Sequence, residues 1–130
     1  MAKVRVLLAD DHVAMIARVR SKLGEEFDIV GTVENGQEAI DAVLRLDPDV
    51  LVIDISMPVL DGFQAASRIR DAGRRTKVIF LTVHGDADFV SAAFSSGASG
   101  YVIKSRLSTD LVPAIQEALE GHPFVSPLTG

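Results

Sequence analysis

The chain has 130 residues, of which 48% are hydrophobic, a size and content that suit one domain with a real core. Its net charge of -5 argues against a nucleic-acid-binding surface, which needs clustered Lys and Arg. The absence of cysteine excludes disulfides and thiolate metal sites.

The opening "MAKVRVLLADDH" joins basic residues to an apolar run. Asp10-Asp11 end that run too soon for a signal peptide. No stretch has the length of a membrane span, so a soluble, cytoplasmic domain without a membrane partner is expected. "VRVLLA" (Val4 to Ala9) reads as the first strand, and Ile16, Val19 and Leu23 mark one face of the first helix, which starts near His12. "FDIVGTV" (Phe27 to Val33) is the second strand. The second helix carries Ala39, Ile40, Val43 and Leu44 and stops at Asp47-Pro48. "DVLVI" (Asp49 to Ile53) is the third strand. Phe63, Ala66 and Ile69 define a third helix that ends near Gly73. "KVIFLTV" (Lys77 to Val83) precedes a fourth helix with Phe89, Val90, Ala93 and Phe94, where Gly97 permits a left-handed end. "GYVIK" (Gly100 to Lys104) leads to a fifth helix with Leu111, Ile115, Ala118 and Leu119, capped by Thr109 or Ser108 and ending at Gly121. The remainder, "EGHPFVSPLTG", is rich in Pro and Gly and reads as a linker or tail.

Most of these strands are continuous apolar runs, as expected where helices cover both faces of a parallel sheet. Strict alternation of strand and helix gives right-handed crossovers, and ligands then bind beyond the carboxyl ends of the strands. Asp10 and Asp11, Asp54, Thr82 and Lys104 all stand at such ends. Any one of these acids alone reads as a turn residue or a cap. Together they describe a receptor for a phosphoryl group. Three carboxylates need a cation, hard Mg²⁺ suits carboxylate oxygens, and the lysine and hydroxyl supply further contacts. Asp54 is then the nucleophile that forms an aspartyl phosphate. Pro58 and Gly62 shape the loop after Asp54 so that it can wrap the metal, and the Met57-Pro58 pair reads equally as ordinary turn chemistry.

At this point "LLADDH", "VLVIDISMPVLDGF", "VIFLTVH" and "GASGYVIKS" resemble the receiver domain of two-component response regulators. The likeness runs from about Lys3 to Gly121, with 122–130 as the tail. "ADDH", "GASGYVIKS" and "EALEGHPFVSP" are most similar to the subgroup whose receivers precede a LuxR-type helix-turn-helix, the NarL/FixJ-like regulators. The resemblance implies a flavodoxin-like, doubly wound sheet of five parallel strands, order 2-1-3-4-5, with five helices in three layers. It implies that Asp54 accepts phosphate from a sensor histidine kinase. Asp11 would bind Mg²⁺ directly and Asp10 largely through water, with Asp54 and the backbone carbonyl of Ser56 as further ligands. Lys104 would contact a phosphoryl oxygen, Thr82 would reorient toward it, and Tyr101 would change rotamer with Thr82. Ser105 follows Lys104 where many members have proline, and Val83 follows Thr82 where a small residue is common. His84 and Ser56 flank the predicted site and are candidates for setting how fast the phosphate is lost.

An aspartyl-nucleophile phosphohydrolase of the haloacid dehalogenase kind is the competing reading. It needs a second Asp two residues after the nucleophile, where this chain has Ser56. A non-phosphorylated binding module on the same fold is a further alternative, opposed by the intact set of rim residues. The expectation is therefore a switch rather than an enzyme, either standing alone or joined to a C-terminal output domain that regulates transcription. The linker-like tail favours the second. A phosphorylation-dependent homodimer could form through the face of the fourth helix, fifth strand and fifth helix, or through the first and fifth helices.

Overall fold

A computed structural model describes residues 2–128. The elements alternate in chain order: β1 (Val4–Ala9), α1 (Val13–Leu23), β2 (Phe27–Val33), α2 (Gly36–Leu46), β3 (Val50–Ile53), α3 (Gly62–Asp71), β4 (Lys77–Thr82), α4 (Ala87–Ser95), β5 (Gly100–Ile103) and α5 (Leu107–Leu119). A last short strand, β6 (Phe124–Val125), follows α5. All neighbouring strands pair in parallel, in the order β2-β1-β3-β4-β5-β6.

The flavodoxin-like α/β layering is as expected, but the sheet has six strands and not five. The extra strand comes from the Pro- and Gly-rich stretch. Two residues are too few to show any hydrophobic period, so nothing in the sequence marks them as strand. They join the sheet because β5 would otherwise offer an open edge.

Successive residues of a strand face opposite ways, and the core divides accordingly. Leu7, Ala9, Leu51, Ile53, Phe80 and Tyr101 pack under α2, α3 and α4. Val6, Leu8, Val50, Val52, Leu81 and Val102 pack under α1 and α5. Each fully buried Leu, Ile or Val contributes about 1.5–3 kcal/mol by leaving water, and both faces of the sheet gain it. That is why the strands read as unbroken apolar runs.

The helix starts are built from local side chains. Asn35 caps α2 by accepting the Glu38 N–H at 2.8 Å. Asp61 and Gln64 form a reciprocal capping box at α3. His12 stands at the start of α1 but its side chain makes no cap. The capping expected of Thr109 or Ser108 is not found. A 3₁₀ turn over Lys104–Arg106 leads directly into α5, so both residues lie within the first helical turn. Gly97, just past α4, has φ +103°, the left-handed conformation expected there.

Candidate functional site

Strand register brings the two buried acids together. Ala9 lies opposite Ile53, so Asp10 and Asp54 leave neighbouring strand ends side by side. The ladder continues one step past each strand. Asp54 N–H donates to the Ala9 carbonyl at 3.0 Å, and Asp10 N–H donates to the Val33 carbonyl at 3.0 Å. Both backbones are thus fixed before their side chains reach the rim.

Lys104 closes the group from the far side. Its Nζ lies 3.2 Å from Asp54 Oδ2 and 3.1 Å from Asp10 Oδ2. Asp10 and Asp54 are each 5% exposed and Lys104 is 8% exposed, so the ion pairs are largely shielded from solvent. The contact to Asp54 is an aligned hydrogen bond. The one to Asp10 is close but misaligned, and Asp10 Oδ2 accepts no hydrogen bond among the described residues. Asp54 Oδ1 accepts the Ile55 N–H at 2.7 Å. Burial pushes the Asp54 carboxyl above its ordinary value. The charge of Lys104 opposes that rise and the charge of Asp10 adds to it, with a net upward shift.

Asp11 stands further out. It meets the group through His12, whose Nδ1 lies 3.0 Å from Asp10 Oδ1 and 3.1 Å from Asp11 Oδ1. Asp10, Asp11, His12 and Asp54 each offer a ligand atom within 4.8 Å of the others. The Ser56 carbonyl accepts no backbone hydrogen bond among the described residues. A buried Asp10 oxygen with no aligned donor, grouped with the carboxylates of Asp11 and Asp54, fits a hard divalent cation such as Mg²⁺.

Thr82 and Tyr101 form a second group, next to the first. Both are fully buried at 0% exposure. They are joined through the backbone of His84. The His84 N–H donates to Thr82 Oγ1 at 3.3 Å, and the His84 carbonyl accepts the Tyr101 hydroxyl at 2.7 Å. The His84 ring stacks on Phe89 with centroids 4.2 Å apart and planes 3° from parallel. Its Nε2 lies 3.4 Å from Ser56 Oγ. Burial, with the charges of Asp86 and Asp54, pushes the Tyr101 phenol up to about 12.

The loop between Asp54 and α3 is tightly folded. Gly62 N–H donates to the Ile55 carbonyl at 2.8 Å. A Cβ at Gly62 would overlap the Asp54 carbonyl oxygen and approach Ile55 Cα to 2.9 Å. Only glycine lets the start of α3 sit so close to the acid's backbone. Leu60 N–H donates to the Pro58 carbonyl at 2.9 Å around Val59, which has φ +70° and is 74% exposed. A β-branched residue is strained in that region.

The receiver-domain family model, "Response regulator receiver domain", matches residues 6–116. The chain belongs to the response regulator receiver family.

Phosphorylation-dependent signalling is the function of that family. The receiver is 34% identical over 126 residues to the uncharacterized transcriptional regulatory protein YvfU of Bacillus subtilis, covering 95% of this chain and 63% of that protein. It is 37% identical over 119 residues to the chemotaxis protein CheY of Halobacterium salinarum, covering 92% and 98%. Among solved structures, a LuxR-family two-component response regulator from Aurantimonas superposes with TM-score 0.91 at 30% identity, covering 97% of this chain and 91% of that one. The chain spans only 54–63% of the length of the first curated relatives it matches.

Within this receiver, Asp10 and Asp54 each contact Lys104 directly. Asp11 is linked to them by His12, and Thr82 and Tyr101 are joined through the backbone of His84. His12 also belongs to the acidic group, a part that nothing in its residue type or spacing marks. Its position next to Asp10-Asp11 was visible, but a ring folding back onto both carboxylates depends on the turn into α1. The backbone role of His84 had no sequence signal at all, because any residue carries an N–H and a carbonyl there.

Proposed function

We propose that this receiver is a phosphoacceptor switch, with Asp54 as the residue that takes the phosphoryl group from a sensor histidine kinase. The supporting observation is the Asp10–Lys104–Asp54 arrangement: a buried carboxylate at a strand end, with a fixed ammonium and a second acid beside it. A carboxylate oxygen of Asp54 attacks phosphorus, the bond from phosphorus to the donor breaks, and the donor leaves with the electron pair. The Ile55 N–H holds the other carboxylate oxygen in place. Lys104 stays with the oxygen charge that the new phosphoryl group brings. Bound Mg²⁺ would supply positive charge against the phosphoryl oxygens and the acids. Asp10, Asp11, Asp54 and the Ser56 carbonyl are the residues that would hold it.

Thr82 and Tyr101 carry the signal outward. Their shared partner, the His84 backbone, is two residues ahead of Asp86, which precedes α4, so a shift of the Thr82 hydroxyl alters the route from β4 into α4. The α4, β5 and α5 face then changes for an output domain or another partner, including a second copy of this chain. Given its transcriptional relatives, a C-terminal helix-turn-helix is the proposed output, and the regulated process is transcription in the cytoplasm. No helix among the described residues is long and apolar enough to cross a membrane. The chemistry of the chain itself is limited to its own phosphorylation and dephosphorylation.

The test is incubation with acetyl phosphate and Mg²⁺ followed by intact mass. One added phosphoryl group, absent in Asp54→Ala and lost with a chelator, is the expected result. Steady turnover of a phosphate ester without covalent labelling would instead support the phosphohydrolase reading.

A further inference from the structure

The stretch after α5 is held to the sheet more firmly than its composition implies. Phe124 and Val125 pair with Gly100 and Tyr101 along the edge of β5. Ser126 follows and is 1% exposed. Its N–H donates to the Tyr101 carbonyl at 2.9 Å. Its hydroxyl accepts the Ile103 N–H at 3.1 Å and donates to Asp110 Oδ2 at 2.7 Å. Asp110 is itself buried, and also accepts Arg106 Nε at 2.8 Å and the Thr109 hydroxyl at 2.9 Å. A single serine therefore joins the tail, β5 and α5.

The β5 backbone that Ser126 grips runs from Tyr101 to Ile103. Tyr101 is the residue whose hydroxyl holds His84. Ile103 immediately precedes Lys104, whose Nζ is bonded to Asp54. New oxygens added beyond Asp54 Oδ2 change the charge that this ammonium faces at the rim end of β5. Ser126 holds the backbone of Ile103, the residue next to Lys104, so a shift of the rim end of β5 acts directly on the Ser126 contacts. A two-residue strand has little pairing of its own to resist this.

We propose that Phe124–Ser126 is a latch, closed on β5 in the free protein and loosened when Asp54 is phosphorylated. It rests on the reading of Asp54 as the phosphoacceptor. Linkage makes the effect reciprocal: if the mimic loosens the latch, a weakened latch tightens binding of the mimic. Any module joined after the tail would gain or lose its tether with the state of the latch.

Hydrogen exchange on the full chain, with and without beryllofluoride and Mg²⁺, tests this, with acetyl phosphate labelling in parallel. In the wild type, exchange across 122–128 should rise about tenfold with the mimic, and Asp54→Ala should not respond. Ser126→Ala should exchange fast without the mimic and reach half-saturation, in an amide NMR titration, at about fivefold lower beryllofluoride. A merely structural serine would speed exchange and leave that half-point unmoved, which overturns the coupling. Labelling of Asp54 with unchanged exchange in the wild type overturns the latch and leaves the phosphoacceptor reading standing. Absence of labelling overturns both. Phe124→Ala, which loosens the same strand through packing, gives the same readouts if Ser126→Ala does not fold.

Discussion

The Tyr101 hydroxyl donates to the His84 carbonyl oxygen at 2.7 Å. The bond ties the side chain of a β5 residue to the backbone just past β4. It also keeps the buried phenol satisfied, as buried polar groups require. Tyr101→Phe keeps the ring and removes the donor. The expected cost is about 1 kcal/mol in urea denaturation, the usual worth of a neutral hydrogen bond. The same variant should also blunt the amide shifts that beryllofluoride causes in α4. Unchanged shifts there would remove Tyr101 from the proposed switch.

Asp54→Asn should stabilise the metal-free chain at neutral pH. Burial lifts the Asp54 carboxyl above its ordinary value, with Lys104 opposing and Asp10 adding to the rise. The folded chain then binds this proton more tightly than the unfolded chain. The group costs stability above its raised folded pKa, and the cost fades as pH falls toward the ordinary carboxylate value of about 3.9. Denaturation with a chelator, at neutral pH and in mild acid, should show the advantage of the variant shrinking in acid. An advantage independent of pH would contradict the raised carboxyl.

Asp110 has the opposite sign. Burial pushes its carboxyl up, but hydrogen bonds from Arg106, Ser126 and Thr109, with the Arg106 charge, bring it below the ordinary range. Its stabilising contribution is present above the unfolded carboxylate value and is lost as pH falls through the lowered folded one. The stability gap between wild type and Asp110→Asn should therefore narrow in acid, the reverse of the Asp54 pair in sign of effect.

Gly62→Ala should be harmful out of proportion to one methyl group. The new Cβ would overlap the Asp54 carbonyl and lie 2.8 Å from Phe80 Cε1. Overpacking of this kind costs about 1–3 kcal/mol. Because the clash is with the backbone of Asp54, acetyl phosphate labelling should slow as well. A thermal melt and a labelling time course check the two effects separately.

Val59→Gly should be stabilising, an unusual direction for a glycine. Its φ of +70° strains a β-branched residue, at about 1–3 kcal/mol. Glycine removes that strain but adds about 0.5–1 kcal/mol of backbone entropy cost. A net gain of about 1 kcal/mol is expected by urea denaturation. A loss would show that the tight turn at Pro58–Leu60 is held by the valine side chain itself.

The sequence by itself determined the layered α/β fold and the rim on which Asp10, Asp11, Asp54, Thr82 and Lys104 stand. The reason is local: runs such as "VLVI" declare strands covered on both faces, and an acid or lysine directly after each run has only the carboxyl end of the sheet to occupy. Tertiary structure decided the rest. Lys104 meets Asp54 and Asp10 because the strand order sets β1 beside β3 and β4 between β3 and β5, relationships between residues far apart in the chain. The His84 bridge uses backbone atoms, which every residue has and no sequence distinguishes. The sixth strand depends on an edge that β5 leaves open and on one buried serine, Ser126, reaching Asp110. A two-residue strand has no period to read, so its existence rests on the partner surface and not on its own residues.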